Sequence, residues 1–170
     1  MRWYTRRHAH VDRTSCPWLI RRFIDTDAEF VFVESGTNPA SLDGPTFDMR
    51  GADYSHEGVR CTFEVMIERH ELRDDPALIE MGRIIRDADV PPGRTRRPEA
   101  TGLAAIITGF QASVPDDHEK LRLTEPVYTA LYTYCQTKIA NQPARQGTPR
   151  PQLHYNRRVA THLDEGDTPQ

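Results

Sequence analysis

The sequence predicts an α+β fold that is mostly helical, with a small N-terminal sheet and a helical body. The segment Glu29–Val33 is short, aromatic and β-branched, as strands are. Trp3 to Thr5 has the same character, and apolar residues recur at helical spacing from 62 to 140. The length of 170 residues fits one domain, or one domain with a tail.

The N-terminal elements are predicted in the order strand, helix, strand. Ser15-Cys16-Pro17 precedes a helix from Trp18 to Ile24, because proline is favoured near the first helical position. The strand 29–33 follows, and residues 47–49 are a candidate for another short strand.

Helices are predicted over 62–70, 76–88, 99–112, 116–123 and 125–140. The segment 99–112 is rich in Leu, Ala and Ile and contains Gly102 and Gly109, which suits a closely packed interior helix. Pro126 favours a first-turn position behind a Thr124 cap, so two helices are expected around it. Residues 141–170 are rich in Pro, Gln and Arg, which predicts a flexible or extended tail after a domain over 1–140.

Composition and missing motifs exclude several classes of protein. The net charge of -3 argues against direct nucleic-acid binding, although six of the first 25 residues are arginines. No nucleotide-binding, zincin, α/β-hydrolase or EF-hand motif occurs, and the three cysteines form no CxxC pair. No apolar run has the length of a membrane span, and the first residues do not resemble a secretion signal. A soluble cytoplasmic protein is expected.

Four segments together resemble a known family. Asp12–Asp25 reads Asp-Arg-Thr-Ser-Cys-Pro-Trp-Leu-Ile-Arg-Arg-Phe-Ile-Asp, and residues 56–64 read His-Glu-Gly-Val-Arg-Cys-Thr-Phe-Glu. Asp-Ala-Asp follows at 87–89 and Asp-Asp-His-Glu at 116–119. The chain resembles the C-terminal domain of the ChrB-type chromate-resistance family over residues 1–140. The resemblance implies a role in chromate sensing or resistance.

The first motif contains a candidate oxyanion site. A helix that begins at Pro17 would present free N–H groups at its first turn, where a partial positive charge favours anions. The predicted anion-binding residues are Arg13, Cys16 and Arg21, with chromate or a similar tetrahedral oxyanion as the ligand. In the alternative interpretation, Asp12 pairs with Arg13 or Arg21 and Cys16 caps the helix.

A second set of residues suits a divalent metal ion. Imidazole and carboxylate groups are ligands for Zn, Mn, Fe or Ni, and His56, Glu64 and His118 are the predicted ligands. Asp89 and Glu119 are additional candidates. The resemblance supports this set, because all three ligands lie in family motifs. Alternatively, Glu64 is a helix-start carboxylate and His118 is a capping or surface group.

These observations leave three functions open. The first is a chromate-resistance domain that binds a divalent metal, an oxyanion or both, in sensing or detoxification. The second is a metal-dependent enzyme that acts on a small anionic substrate. The third is a helical interaction module without a metal or an anion. A second copy of the chain and a regulatory protein are both left open as partners.

Overall fold

A computed structural model describes residues 1–89 and 97–141. Strands β1 (Arg2–Arg6) and β2 (Glu29–Val33) pair in parallel, with Trp3 opposite Phe30. Helix α1 (Val11–Leu19) and a π-helical turn (Ile20–Ile24) connect them. The predicted strand–helix–strand start and the α+β class are confirmed.

The predicted start of the first helix is wrong. Helix α1 already begins at Val11, behind the extended residue His10, whose carbonyl accepts a 2.9 Å hydrogen bond from the Thr14 N–H. Pro17 therefore lies inside the helix, and the free N–H groups of its first turn are not beside Cys16. Burial explains the difference, because Val11 and Leu19 are both fully buried and their packing outweighs the cost of an interior proline.

The predicted short strand over 47–49 does not form. Phe47 makes only an isolated bridge to Tyr54, and Thr46 makes another to Tyr4. Asp48 has a φ of 47°, in the left-handed region, which turns the chain out of an extended conformation. The segment is consequently a loop, and it leads towards the candidate site.

The helical body agrees with the predicted boundaries to within a residue or two at its first three helices. These are α2 (Thr62–Arg69), α3 (Pro76–Asp89) and α4 (Pro98–Ser113), with short 3-10 turns at Pro39–Ser41 and Leu72–Asp74. Helix α3 contacts both α2 and α4, and carries the buried residues Leu78, Met81, Ile84 and Ile85.

The two helices predicted around Pro126 are one continuous helix, α5 (Asp117–Ala140). Thr124 does not cap a new helix, because its hydroxyl donates back to the Lys120 carbonyl at 2.8 Å. Thr124 and Tyr128 are both fully buried, on either side of the proline. Packing of this face keeps the two halves in line despite the missing N–H of Pro126.

Helix α4 is not the closely packed interior helix that its composition predicts. Its buried residues are Ala100, Leu103 and Ile107. A Cβ atom added at Gly102 or Gly109 would meet nothing within 4 Å among the described residues. An apolar composition alone does not reveal which face of a helix meets the core.

The predicted tail over 141–170 lies, apart from Asn141, outside the described residues. None of the helices in the described part combines the length and apolar character that crossing a bilayer requires.

Candidate functional site

Three separate parts of the chain meet at one polar cavity of about 400 Å³. The first turn of α1 contributes Asp12, the loop before α2 contributes Asp48 and His56, and the last residue of α3 is Asp89. The cavity is lined by Arg6, His10, Asp12, Arg13, Asp48, Met49, Arg50, Ser55, His56 and Asp89.

Asp12 is the most deeply buried acid of this cavity, with a side chain only 1% exposed. Its Oδ2 atom accepts a 2.6 Å hydrogen bond from the Thr62 N–H at the start of α2. Its Oδ1 atom is buried and has no hydrogen-bond partner among the described residues. Burial raises the pKa of Asp12, because the charged form loses its hydration.

His56 lies among three carboxylates. Its Nε2 atom is 3.0 Å from Asp12 Oδ2, 3.4 Å from Asp89 Oδ2 and 3.6 Å from Asp48 Oδ1. Hydrogen bonds to Asp12 and then Asp89 raise the pKa of His56 to about 10. The imidazole is therefore protonated on both ring nitrogens at neutral pH and supplies a positive charge among the acids.

Asp48 is held in its left-handed conformation by two neighbours. The Thr62 hydroxyl donates to Oδ1 at 3.0 Å, and Arg13 Nε donates to Oδ2 at 2.8 Å. Arg13 also donates to the Arg7 carbonyl at 3.0 Å through a terminal nitrogen. Arg13 thus joins the chain before α1 to the loop that bears Asp48.

The donor atoms of Asp12, His56 and Asp89 lie close enough together to be shared by one metal ion. Within the described residues, theirs is the group of three or more potential ligands whose donor atoms all lie within 4.8 Å of one another. Metal–ligand bonds of about 2.0–2.2 Å place the donors of a tetrahedral ion about 3.3–3.6 Å apart. The separations of 3.0 and 3.4 Å from His56 Nε2 are close to that spacing.

The predicted metal ligands His56, Glu64 and His118 do not form such a group in the described structure. Glu64 accepts hydrogen bonds from the Cys61 N–H at 3.3 Å and from Arg86 at 3.0 Å. The His118 ring packs edge-on against Phe32, with 5.0 Å between ring centroids. His56 instead meets Asp89, which was an additional candidate, and Asp12.

Asp12 and Asp48 line the cavity but are not among the site residues predicted from the sequence. From the sequence, Asp12 is expected only as a partner for an arginine, although it opens the first motif. It lies one residue inside a helix whose start was predicted too late. Asp48 falls in the candidate strand over 47–49, and no sequence signal marks its left-handed backbone.

The predicted anion-binding residues lie in different surroundings. Arg13 lines the polar cavity. Cys16 is fully buried, and burial raises the pKa of its thiol well above the ordinary value. Arg21 donates to the Ala28 carbonyl at 3.3 Å and lines a second cavity of about 220 Å³, together with Trp18 and Arg22.

Positive side chains also belong to the polar cavity. Arg6, Arg13 and Arg50 line it together with His10, which is not among the predicted site residues. The Nε atom of Arg6 is buried and has no hydrogen-bond partner within the described part of the chain. Arginines and a carboxylate–imidazole group thus share one open space.

Comparison with known proteins agrees with the motifs. The family model "ChrB, C-terminal domain" matches residues 3–135. Protein ChrB of Cupriavidus metallidurans is 39% identical over 132 residues, which are 78% of this chain and 40% of that protein. No solved structure matches. The chain spans less than half the length of this curated relative, and it belongs to the family of the ChrB C-terminal domain, a chromate-resistance family.

Proposed function

We propose that this domain binds a divalent metal ion through Asp12, His56 and Asp89. The observation that carries the proposal is the Oδ1 atom of Asp12, which is buried without a hydrogen-bond partner among the described residues and belongs to a side chain that lines the cavity. A buried carboxylate oxygen without a partner costs free energy, and a metal ion would offset that cost.

The ligand set favours a transition metal. One imidazole and two carboxylates suit Zn, Mn, Fe or Ni. In the metal-free protein the proton on His56 Nε2 occupies the position between Asp12 and Asp89, so metal binding releases that proton. This set replaces Glu64 and His118 with two acids of the same cavity.

The same cavity suits a small oxyanion such as chromate. Three arginines line it beside the metal ligands, and guanidinium groups bind tetrahedral anions through charge-assisted hydrogen bonds. An anion there would meet the metal ion and an arginine together. In the cell, such a domain would serve chromate sensing or detoxification in the cytoplasm, with any regulatory output passing through a partner protein or a second copy.

A metal-dependent enzyme is the second candidate. His56 remains 48% exposed although Asp12 is buried, so one side of the three-ligand group faces the open cavity. A bound metal with an open coordination position activates water or polarises an anionic substrate. Turnover of an anionic substrate would distinguish this function from binding alone.

Metal content tests the proposal directly. The protein is purified without added metal, analysed for bound elements and titrated with Zn²⁺ against a chromophoric chelator. The wild-type protein is expected to bind one equivalent and His56→Ala to bind none. His118→Ala is the matched control, because it removes the predicted ligand that packs on Phe32. Metal binding by a folded His56→Ala protein would contradict the proposal. Loss of metal binding in His118→Ala would instead support the ligand set His56, Glu64 and His118.

A further inference from the structure

The segment 116–119 contributes one buried acid to the structure, and this acid is Asp117. Its side chain is 8% exposed, whereas Asp116 caps α5 by accepting a 2.8 Å hydrogen bond from the Glu119 N–H. Asp117 faces the chain between β1 and α1, which leads directly into the candidate metal site.

The carboxylate of Asp117 binds two consecutive backbone amides of that connection. The His8 N–H donates to Oδ2 at 2.8 Å, and the Ala9 N–H donates to Oδ1 at 2.9 Å. His8 has a φ of 61°, which non-glycine residues seldom adopt. Successive N–H groups in such a turn form a concave site for an anion, so the carboxylate stabilises this strained turn.

Lys120 neutralises the buried carboxylate. It is 2% exposed, and its Nζ atom lies 2.8 Å from Asp117 Oδ1. A buried charge without a counterion is costly, so Lys120 allows Asp117 to remain ionised below the turn. The pair lies one turn apart on α5 and links that helix to the N-terminal part of the chain.

The turn held by Asp117 sets the position of the site residues that follow it. His10 is the N-cap of α1, and Asp12 lies in the first turn of that helix. The turn is also linked to Arg13, which donates to the Arg7 carbonyl at 3.0 Å and to Asp48 at 2.8 Å. A continuous series of contacts therefore runs from Asp117 to both sides of the cavity.

We propose that Asp117, neutralised by Lys120, is a positioning residue for the metal site: it fixes the His8–Ala9 turn and so orients Asp12 and Arg13. Asp117 does not itself bind the metal in this arrangement. The inference rests on the proposed metal site, and it gives the 116–119 motif a structural role although His118 packs on Phe32.

The test compares Asp117→Asn with Asp75→Asn. Asp75 is the matched control, because it also accepts two backbone N–H groups at a helix start, from Ala77 at 2.8 Å and Leu78 at 3.1 Å, but it does not line the polar cavity. Both variants are expected to melt at a lower temperature. Supporting residues around a metal typically change its affinity by about 10- to 100-fold. A Zn²⁺ affinity reduced by that factor is expected for Asp117→Asn and an unchanged affinity for Asp75→Asn.

A spectroscopic measurement separates positioning from a general loss of stability. The visible spectrum of the Co²⁺-loaded protein should change in Asp117→Asn and remain that of the wild type in Asp75→Asn. In NMR spectra of the metal-free protein, the resonances of the His56 ring should shift in Asp117→Asn and remain unchanged in Asp75→Asn. Equal Zn²⁺ affinities, Co²⁺ spectra and ring resonances in wild type and Asp117→Asn would overturn the inference.

Two further outcomes are distinguishable. If Asp117→Asn does not fold, Lys120→Met provides a second comparison, because it removes the counterion of Asp117 and keeps an unbranched side chain one atom shorter than lysine. If the wild-type protein binds no metal, the proposed function fails, and the His56 resonances of the metal-free variants still decide whether Asp117 positions the cavity.

Discussion

Thr62 donates its backbone N–H to the carboxylate of Asp12 across 2.6 Å, and this hydrogen bond joins the start of α2 to the first turn of α1. Both residues are buried, at 0% and 1% exposure. The remaining oxygen of Asp12 has no partner among the described residues. Oδ2 of Asp12 therefore both joins the two helices and lies 3.0 Å from His56 Nε2, so the carboxylate has a structural role beside its proposed role in metal binding.

Two substitutions should separate these roles of Asp12. Asp12→Asn retains an acceptor for the Thr62 N–H, so we expect a folded protein that has lost metal affinity. Asp12→Ala leaves that N–H buried without an acceptor, which costs about 1–3 kcal/mol. Urea denaturation of metal-free protein measures the second effect, and chelator competition measures the first. Wild-type metal affinity in Asp12→Asn would remove Asp12 from the ligand set.

Arg13→Ala should weaken oxyanion binding at the polar cavity. A charge-assisted contact is typically worth about 1.5–3 kcal/mol, which corresponds to a loss of affinity of about ten- to a hundredfold. Arg13→Lys should recover less, because lysine lacks the planar fork. Titration calorimetry with chromate and sulfate at constant ionic strength measures the affinities.

Arg21→Ala is the matched control for the oxyanion experiment. Arg21 lines the separate cavity beside Trp18 and should leave the affinity unchanged. Equal affinity in wild type and folded Arg13→Ala would show that Arg13 serves only to hold Asp48. A loss in Arg21→Ala alone would move the anion to the second cavity.

The thiols of the native protein should react slowly with a disulfide reagent. Cys16, Cys61 and Cys135 are all buried, and burial raises the pKa of each thiol, which lowers the reactive thiolate fraction. We expect three thiols to react rapidly only after unfolding in guanidinium. Rapid modification of Cys16 in the folded protein would favour its predicted role beside an anion.

Protonation of Glu99 should lower the stability of the folded protein in acid. The hydrogen bond from the Tyr134 hydroxyl at 2.7 Å, together with Lys138, lowers the pKa of Glu99 to about 2. Because the pKa is lower in the folded state, the stabilisation is complete above the ordinary value of 4.5 and is lost as the pH falls towards 2. The melting-temperature difference between wild type and Glu99→Gln should therefore be largest near neutral pH and vanish near pH 2. A constant difference would contradict this.

Gly102→Ala should stabilise α4. A Cβ atom at this position meets nothing within 4 Å in the described structure. Alanine is favoured over glycine inside a helix by about 0.5–1 kcal/mol, mainly because an unfolded chain with alanine has less conformational entropy to lose on folding. Gly82→Ala is the contrasting variant, since its Cβ would lie 3.1 Å from the Glu64 side chain. Thermal unfolding measures both changes, and destabilisation by Gly102→Ala would indicate that this face is covered in solution.

The sequence by itself determined the type and order of most elements. The β-branched run at 29–33 and the helical periodicity of α2 and α3 are local patterns that neighbouring residues decide, so they were predicted correctly. The motifs likewise established the family, which the comparisons confirm.

Only the tertiary structure decided where α1 begins, that α5 continues through Pro126, and which acids meet His56. Proline rules describe an isolated helix, whereas packing of Leu19, Thr124 and Tyr128 outweighs them here. Asp12 and Asp89 are far from His56 in sequence, and their meeting depends on how α1 and α3 pack beside the loop before α2. The spacing of these residues in the sequence does not reveal how close their side chains lie, because that distance depends on how the helices pack across the whole core.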